Sequence, residues 1–372
     1  MSTGTERNRT DIEATVTGST LQAPATTTAL PRRKGSLPKW SPWALVAGSA
    51  VVAAGATALT GGFGIGLWVF LTVVVYLVAT YAVSRAVEGA RKAADRLVTA
   101  IVTGAFLLAM IPLVSVLWTV VSNGWARFDP TFFDSSMRGV VGVGGGALHA
   151  IQGTLIITAL AAVMSIPVGV LTAIYLVEYG NRSRLARAIT FFVDVMTGIP
   201  SIVAGLFAFA LFALFVGPAV RFGFAGAVAL TVLMIPIVVR STEEMLKIVP
   251  NELREAAYAL GVPKWRTILK VVIPTTAGGI ATGVMLAVAR VIGETAPLLV
   301  TTGLALGVNL NPFSGPMATL PVFSYYSYAV PGIPREAFLD RAWTAALVLM
   351  LVVMVLNIVA RIISRIFAPK TR

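Results

Sequence analysis

Residues 271–299 read VVIPTTAGGIATGVMLAVARVIGETAPLL, and Arg290 and Glu294 are the only charges in the run. A helix needs about 20 apolar residues to cross a hydrocarbon core. This run is long enough, yet it carries two ionisable side chains. Working outward, the same kind of block recurs. Candidate spans lie at about Trp43–Leu59, Phe63–Val83, Leu97–Val121, Gly153–Leu176, Ile189–Val216, Phe222–Val239, Val271–Leu299 and Trp343–Ala360. The chain of 372 residues is 57% hydrophobic and 12% charged, about half the charge of a soluble domain. That excludes a soluble globular enzyme, and a disordered chain as well. The fold class expected is an all-α polytopic membrane protein.

Charge placement orients the spans. With the N-terminus in the cytosol, the inside segments 1–42, 84–96, 177–188, 240–270 and 361–372 hold 6, 4, 3, 6 and 4 Lys+Arg, which is 23 of the 29. The outside segments hold five: Arg127, Arg138, Arg221, Arg335 and Arg341. This positive-inside asymmetry supports eight crossings with both termini cytosolic. It also accounts for the net charge of +13 without nucleic acid. Residues 1–40 are Thr-rich with almost no aromatics and read as a disordered cytosolic tail; residues 41–84 hold the first two spans. The two long outside segments are Asn123–Leu148, with its Gly142–Gly146 run, and Thr302–Asp340, rich in Pro and Tyr.

The loop at 240–274 carries strong local signals. Pro250 and Asn251 mark a helix start, and Leu253, Ala256, Ala257 and Leu260 share one face. Gly261 occupies a left-handed cap position, and Pro263 opens a second short helix. An amphipathic helix resting on the bilayer is one reading. The small face formed by Ala256 and Ala257 favours the other, docking into a cleft of a partner.

Glu255, Ala256, Ala257, Gly261, Val271, Ile273 and Pro274 stand at the spacing of the EAA loop, and the chain here resembles ABC importer permeases. Further stretches, Arg290–Thr302, Asp194–Phe207 and Arg240–Leu246, look like the phosphate ABC importer permeases of the PstA type. The resemblance covers about Leu97–Phe367 and leaves out 1–84. It implies a type I ABC importer permease, with a six-helix core at 97–367 and two additional N-terminal helices. It also implies that Glu255, Ala256, Ala257, Leu260 and Gly261 couple to an ATPase. The implied partners are an ATP-binding subunit dimer, a second and similar PstC-type permease, and an extracytoplasmic phosphate-binding protein. The implied setting is the bacterial cytoplasmic (inner) membrane.

Arg290 and Glu294 are spaced as i and i+4, so on one helix they are neighbours and can pair. A charge at mid-membrane costs about 2.5–3.5 kcal/mol on insertion scales. The pair either locks helix packing or lines a path for an anion. Arginine suits the second role, because its planar fork matches oxyanions and keeps its proton. Thr295 adds a hydroxyl, and Pro297 marks a helix break. Asp194, near Gly198 and Pro200, is either an acid beside a helix break or a group on the path. Arg240 is either an inside anchor or an exit-side contact. His149, heading a span, is expected at the membrane interface.

No P-loop occurs, so ATP and Mg are expected on the partner ATPase and no cofactor in this chain. With no Cys and a single His, neither a catalytic triad nor a metal site is expected. The expected function is inorganic phosphate import by alternating access. A permease for molybdate or sulfate, or a membrane scaffold for phosphate signalling, stays open beside it.

Overall fold

A computed structural model describes residues 35–59, 64–180, 183–218 and 220–367. The tail expected over 1–40 lies outside the described residues up to residue 34. The chain divides into two compact units at Ile111/Pro112. Every regular element among the described residues is helical.

In the first unit, α1 (Ser41–Leu59) and α2 (Ile65–Val87) pack as a pair, and α3 (Ala90–Gly124) begins. Gly89, at a positive φ of 97°, makes the sharp turn between α2 and α3. Glu88 fastens that corner. Its carboxylate accepts from Leu37 N at 2.7 Å, Ser84 Oγ at 3.0 Å, and Arg96 Nε at 2.6 Å. These donors, Arg96 foremost, hold its pKa down to about 2.

The second unit contains α4 (Pro130–Asp134), α5 (Leu148–Ile174), α6 (Arg184–Thr197), α7 (Ser201–Phe215) and α8 (Gly223–Ile248). It continues with α9 (Asn251–Ala259), α10 (Lys264–Thr267), α11 (Ile273–Val291), α12 (Ala296–Thr301), α13 (Leu320–Ala329) and α14 (Arg335–Phe367). Two π-helical turns, Tyr175–Tyr179 after α5 and Ile268–Val272 before α11, widen the helices next to the α9 loop.

Helix α8 is the hub. Its buried Ala227, Leu230, Met234 and Val238 meet Ile157 and Ala161 of α5 and Ala287, Val288 and Val291 of α11. Small residues let these backbones approach closely, which is the usual means of helix association in lipid. A Cβ on Gly169 of α5 would lie 2.7 Å from a Val238 methyl. Gly279 and Gly283 of α11 face Met245 and Ser241 of α8. A second cluster (Phe132, Met137, Leu320, Phe323 and others) closes the end away from α9, and a third (Val193, Leu246, Val249, Val272 and others) the α9 end.

Seven helices are long and apolar enough to cross a membrane, and a bent pair makes up to eight. That pair corrects the expected span Ile189–Val216. Helix α6 stops at Gly198, Pro200 precedes α7, and the two axes meet at 109°. Proline disfavours the helical conformation at the residue before it, and after the Gly198 cap the chain turns at Ile199 and Pro200. The expected span Val271–Leu299 also breaks: α11 ends at Val291, and α12 restarts at Ala296 with Pro297 in its first turn. The long segment Thr302–Asp340 is not all loop, since it holds α13. His149, expected at an interface, is buried with its ring edge-on to Phe323.

Candidate functional site

The break between α11 and α12 separates the two charges that the sequence placed on one helix. Glu294 N donates to Val291 O in the turn that closes α11, so Glu294 leaves the helical path before it reaches i+4. Arg290 and Glu294 form no ion pair. Arg290 has no hydrogen-bond or ion-pair partner among the described residues, and its side chain is exposed. The break itself is held from outside. Gly205 of α7 lies against Pro297, where a Cβ would meet the Pro297 Cα at 2.6 Å, and Gly226 of α8 lies against Thr302.

The α8–α11 register fixes the depth of Arg290. Gly279 opposes Met245 and Gly283 opposes Ser241, four residues along one helix for four back along the other. Seven residues beyond Gly283, Arg290 comes level with Met234. Met234 lies eleven residues from Gly223 and fourteen from Ile248, about 16 and 21 Å at a rise of 1.5 Å per residue. Arg290 therefore stands near the middle of an apolar bundle with no counter-charge of its own. Thr295 and Gly293 line a groove of about 360 Å³ with Ser324, Tyr325, Tyr328 and Trp343.

The structure brings Arg240 and Asp194 together. Arg240 Nη2 is bonded to the Asp194 carboxylate, and its Nη1 donates to Glu243 at 2.8 Å. Lys247 Nζ completes the chain to Glu243 at 2.7 Å. The network joins α6 to α8 and borders a groove of about 470 Å³ that Arg187, Thr190, Glu243 and Lys247 line. Asp194 is 58% exposed, a rim acid beside the helix break whose charge Arg240 satisfies. By the same register Arg240 lies six residues, about 9 Å along the axis, from the level of Arg290.

At the α9 loop, the caps stand where the local signals put them. Helix α9 starts at Asn251 after Pro250, Gly261 adopts φ 74°, and Pro263 precedes α10. No residue of α9 is buried. Leu253, Leu260 (83%), Tyr258 and Trp265 are exposed, and Glu255 and Ala256 share that surface. The loop presents an apolar face that no other described residue covers.

Two features escaped the sequence reading. Arg254, just before Glu255, turns inward onto Glu178, 76 positions away; the signal was a lone acid two residues beyond the apolar block Gly153–Leu176. Arg341 is fully buried, with Nη1 donating to Gly144 O at 2.9 Å and its guanidinium over the Phe338 ring at 4.3 Å.

The described binding-protein-dependent transport system inner membrane component family matches residues 165–372. The chain is 48% identical over 250 residues to the phosphate transport system permease protein PstA 1 of Mycobacterium tuberculosis, across 66% of this chain and 81% of that one. It is 38% identical over 262 residues to the phosphate transport system permease protein PstA of Yersinia pestis, across 70% of this chain and 86% of that one. Among solved structures, a bacterial alginate ABC transporter in complex with an alginate pentasaccharide-bound periplasmic protein shares the fold. The TM-score is 0.53 at 15% identity, over 73% of this chain and 95% of that one. Over half of its length and the whole helical bundle from Ser165 onward, the chain belongs to the binding-protein-dependent transport system inner membrane component family.

Proposed function

We propose that this chain is a transmembrane permease subunit of an ATP-driven importer that carries inorganic phosphate across the cytoplasmic membrane. It is a transport subunit, and ATP hydrolysis belongs to a separate chain. The observation that carries the reading is Arg290, exposed and unpartnered at mid-depth of the bundle. A guanidinium turned to lipid there would be costly, so it faces either a partner subunit or a polar path. The relatives named as phosphate permeases favour the path, and arginine matches a tetrahedral oxyanion through a planar fork.

The residues divide the work by position. Arg290 attracts the anion near mid-membrane. The broken backbone at Ile292–Thr295 frees polar groups along a cavity, the setting in which irregular backbone is tolerated in membranes. Thr295 offers a hydroxyl, and Glu294 repels an anion that would otherwise bind too tightly to leave. Arg240 is held by Asp194 and Glu243 on the cytosolic side, where it can exchange a carboxylate for the departing anion. Both termini and α9 face the cytosol, in accord with the positive-inside count.

The exposed face of Leu253, Glu255, Ala256, Ala257, Leu260 and Gly261 docks on an ATP-binding subunit. One such loop per chain, with six core helices at 97–367, calls for a second permease of PstC type, two ATPase subunits and a phosphate-binding protein outside. Residues 1–84 are an addition to that core. ATP binding draws the α9 loops together and opens the outer side, and hydrolysis resets it.

The test is labelled phosphate uptake by membranes that contain the whole complex, with and without excess sulfate and molybdate. Competition by phosphate alone supports the reading. Equal competition by either other anion moves the substrate to that oxyanion. Uptake driven without ATP would refute the importer assignment altogether.

A further inference from the structure

While the rest of α9 faces outward, Arg254 points in. Its Nε and Nη2 both donate to Glu178 Oε1, at 3.0 and 2.8 Å. Nη1 donates to Val249 O at 2.7 Å, and Nη2 also to Leu246 O at 3.0 Å. The two side chains are 12% and 4% exposed. One guanidinium thus ties the start of α9, the last turn of α8 and the cytosolic end of α5. Next to it, Lys264 Nζ of α10 sits over the Tyr179 ring at 5.0 Å. Two separate cations of the loop therefore grip adjacent residues, Glu178 and Tyr179.

Both gripped residues belong to the π-turn Tyr175–Tyr179. A π-turn is a rare, wide insertion in a helix and is frequent at functional sites. Beyond it, α5 continues as one helix, with Pro167 in its interior, to the other side of the unit. There Gly153 touches the Ala318 carbonyl, and Thr154 Oγ1 accepts from Leu320 N at 2.8 Å. From Ile174, where α5 meets the π-turn, to Thr154 is 20 residues, about 30 Å of helix. A displacement of Glu178 would reach the outer segment that leads into α13.

A buried ion pair is a weak device for stability, because apolar residues of equal volume often serve as well. What it supplies is direction, since it holds one helix to another at a fixed point. We infer that Arg254–Glu178 is a positioning link that transmits displacement of α9 to α5, with the Tyr175–Tyr179 π-turn as its joint. The inference rests on the docking of an ATPase at α9 proposed above. It names which helix receives the motion and through which residues.

The experiment uses the complete complex in proteoliposomes with the phosphate-binding protein, measuring phosphate imported and ATP hydrolysed in the same vesicles. A merely structural residue lowers both together, whereas a transmitting one lowers their ratio. Glu178→Gln should retain the co-purified ATPase and continuing ATP hydrolysis while phosphate per ATP falls about tenfold or more, the loss of a charge-assisted bond. The exchange of both charges, Glu178→Arg with Arg254→Glu, should recover a substantial part of that ratio. An unchanged ratio in Glu178→Gln overturns the inference. So does loss of the ATPase from that variant, which would make the pair part of the docking surface. If Glu178→Gln does not accumulate in membranes, Glu178→Asp keeps the charge but withdraws it by one methylene, and an unchanged ratio there overturns the inference equally. Failure of the unaltered chain to bring down any ATPase would instead sink the docking reading.

Discussion

Under the proposed function, Arg290 is the residue on which transport would depend most. It has no ion-pair partner among the described residues, so its removal orphans no charge among them. Arg290→Ala should leave the amount of chain in membranes unchanged and lower phosphate uptake about 10-fold to 100-fold, the worth of a charged hydrogen bond. Arg290→Lys keeps the charge but loses the fork, and should recover only part of the uptake. Normal uptake in Arg290→Ala would take Arg290 off the path. Gly205 makes a complementary case in packing. Its Cβ in Gly205→Ala would lie 2.6 Å from Pro297 Cα and 2.9 Å from its carbonyl oxygen, backbone atoms that cannot swing aside. The change should cost about 1–3 kcal/mol and appear as a lower melting temperature in detergent. Glu88 gives a pH signature. Its folded pKa of about 2 lies below the usual 4.5, so its stabilisation is full above pH 4.5 and fades as pH falls toward 2. Glu88→Gln should therefore melt below the unaltered chain at neutral pH, with a gap that closes through that window; a gap independent of pH would show that the carboxylate does not hold the corner.

Helix α9 is the element on which the proposed docking of an ATPase turns. It buries none of its residues, and Gly261 ends it at φ 74°, a conformation that costs an L-residue about 1–2 kcal/mol. Glu255→Lys and Gly261→Asp should both abolish co-purification of the ATPase while the chain stays in the membrane. Recovery of a full complement of ATPase with either variant would remove α9 as the dock. This element was legible because its signals are local: a proline start, a glycine stop and a four-residue apolar spacing. The breaks were less legible. Gly198 and Pro200 announced an interruption, but the 109° bend at that point depends on where α7 packs, with Gly205 seated on Pro297 far along the chain. Arg290 and Glu294 had the spacing of a helical pair. What parted them was the end of α11, set by Gly293 and by the proline at the start of α12. Arg240 with Asp194, and Arg254 with Glu178, are pairings over 46 and 76 positions, which no window along the chain contains.

At the scale of the whole molecule, the bundle has two grooves, each with a few polar groups in a mostly apolar lining, on either side of the level of Arg290. The groove at Gly293, Thr295, Ser324, Tyr325 and Tyr328 adjoins the elements leading outward, and the groove at Arg187, Thr190, Glu243 and Lys247 adjoins the α9 end. If transport alternates between these sides, the residue at the break must be open to one side at a time. The absence of cysteine from the sequence makes this measurable with a single introduced thiol. In the complete complex, Thr295→Cys should react with a membrane-impermeant thiol reagent from outside when ATP is trapped on the ATPase. In the nucleotide-free complex that reaction should fall to background, and reagent sealed inside the vesicles should then reach it. A ligand-driven shift reverses such a preference only if the two states differ in affinity for nucleotide by a few kcal/mol, the difference that the proposed ATPase dimer docked on two α9 loops would have to supply. Equal labelling from outside in both states would mean that the break is a static pore lining, and that the moving gate lies elsewhere in the bundle.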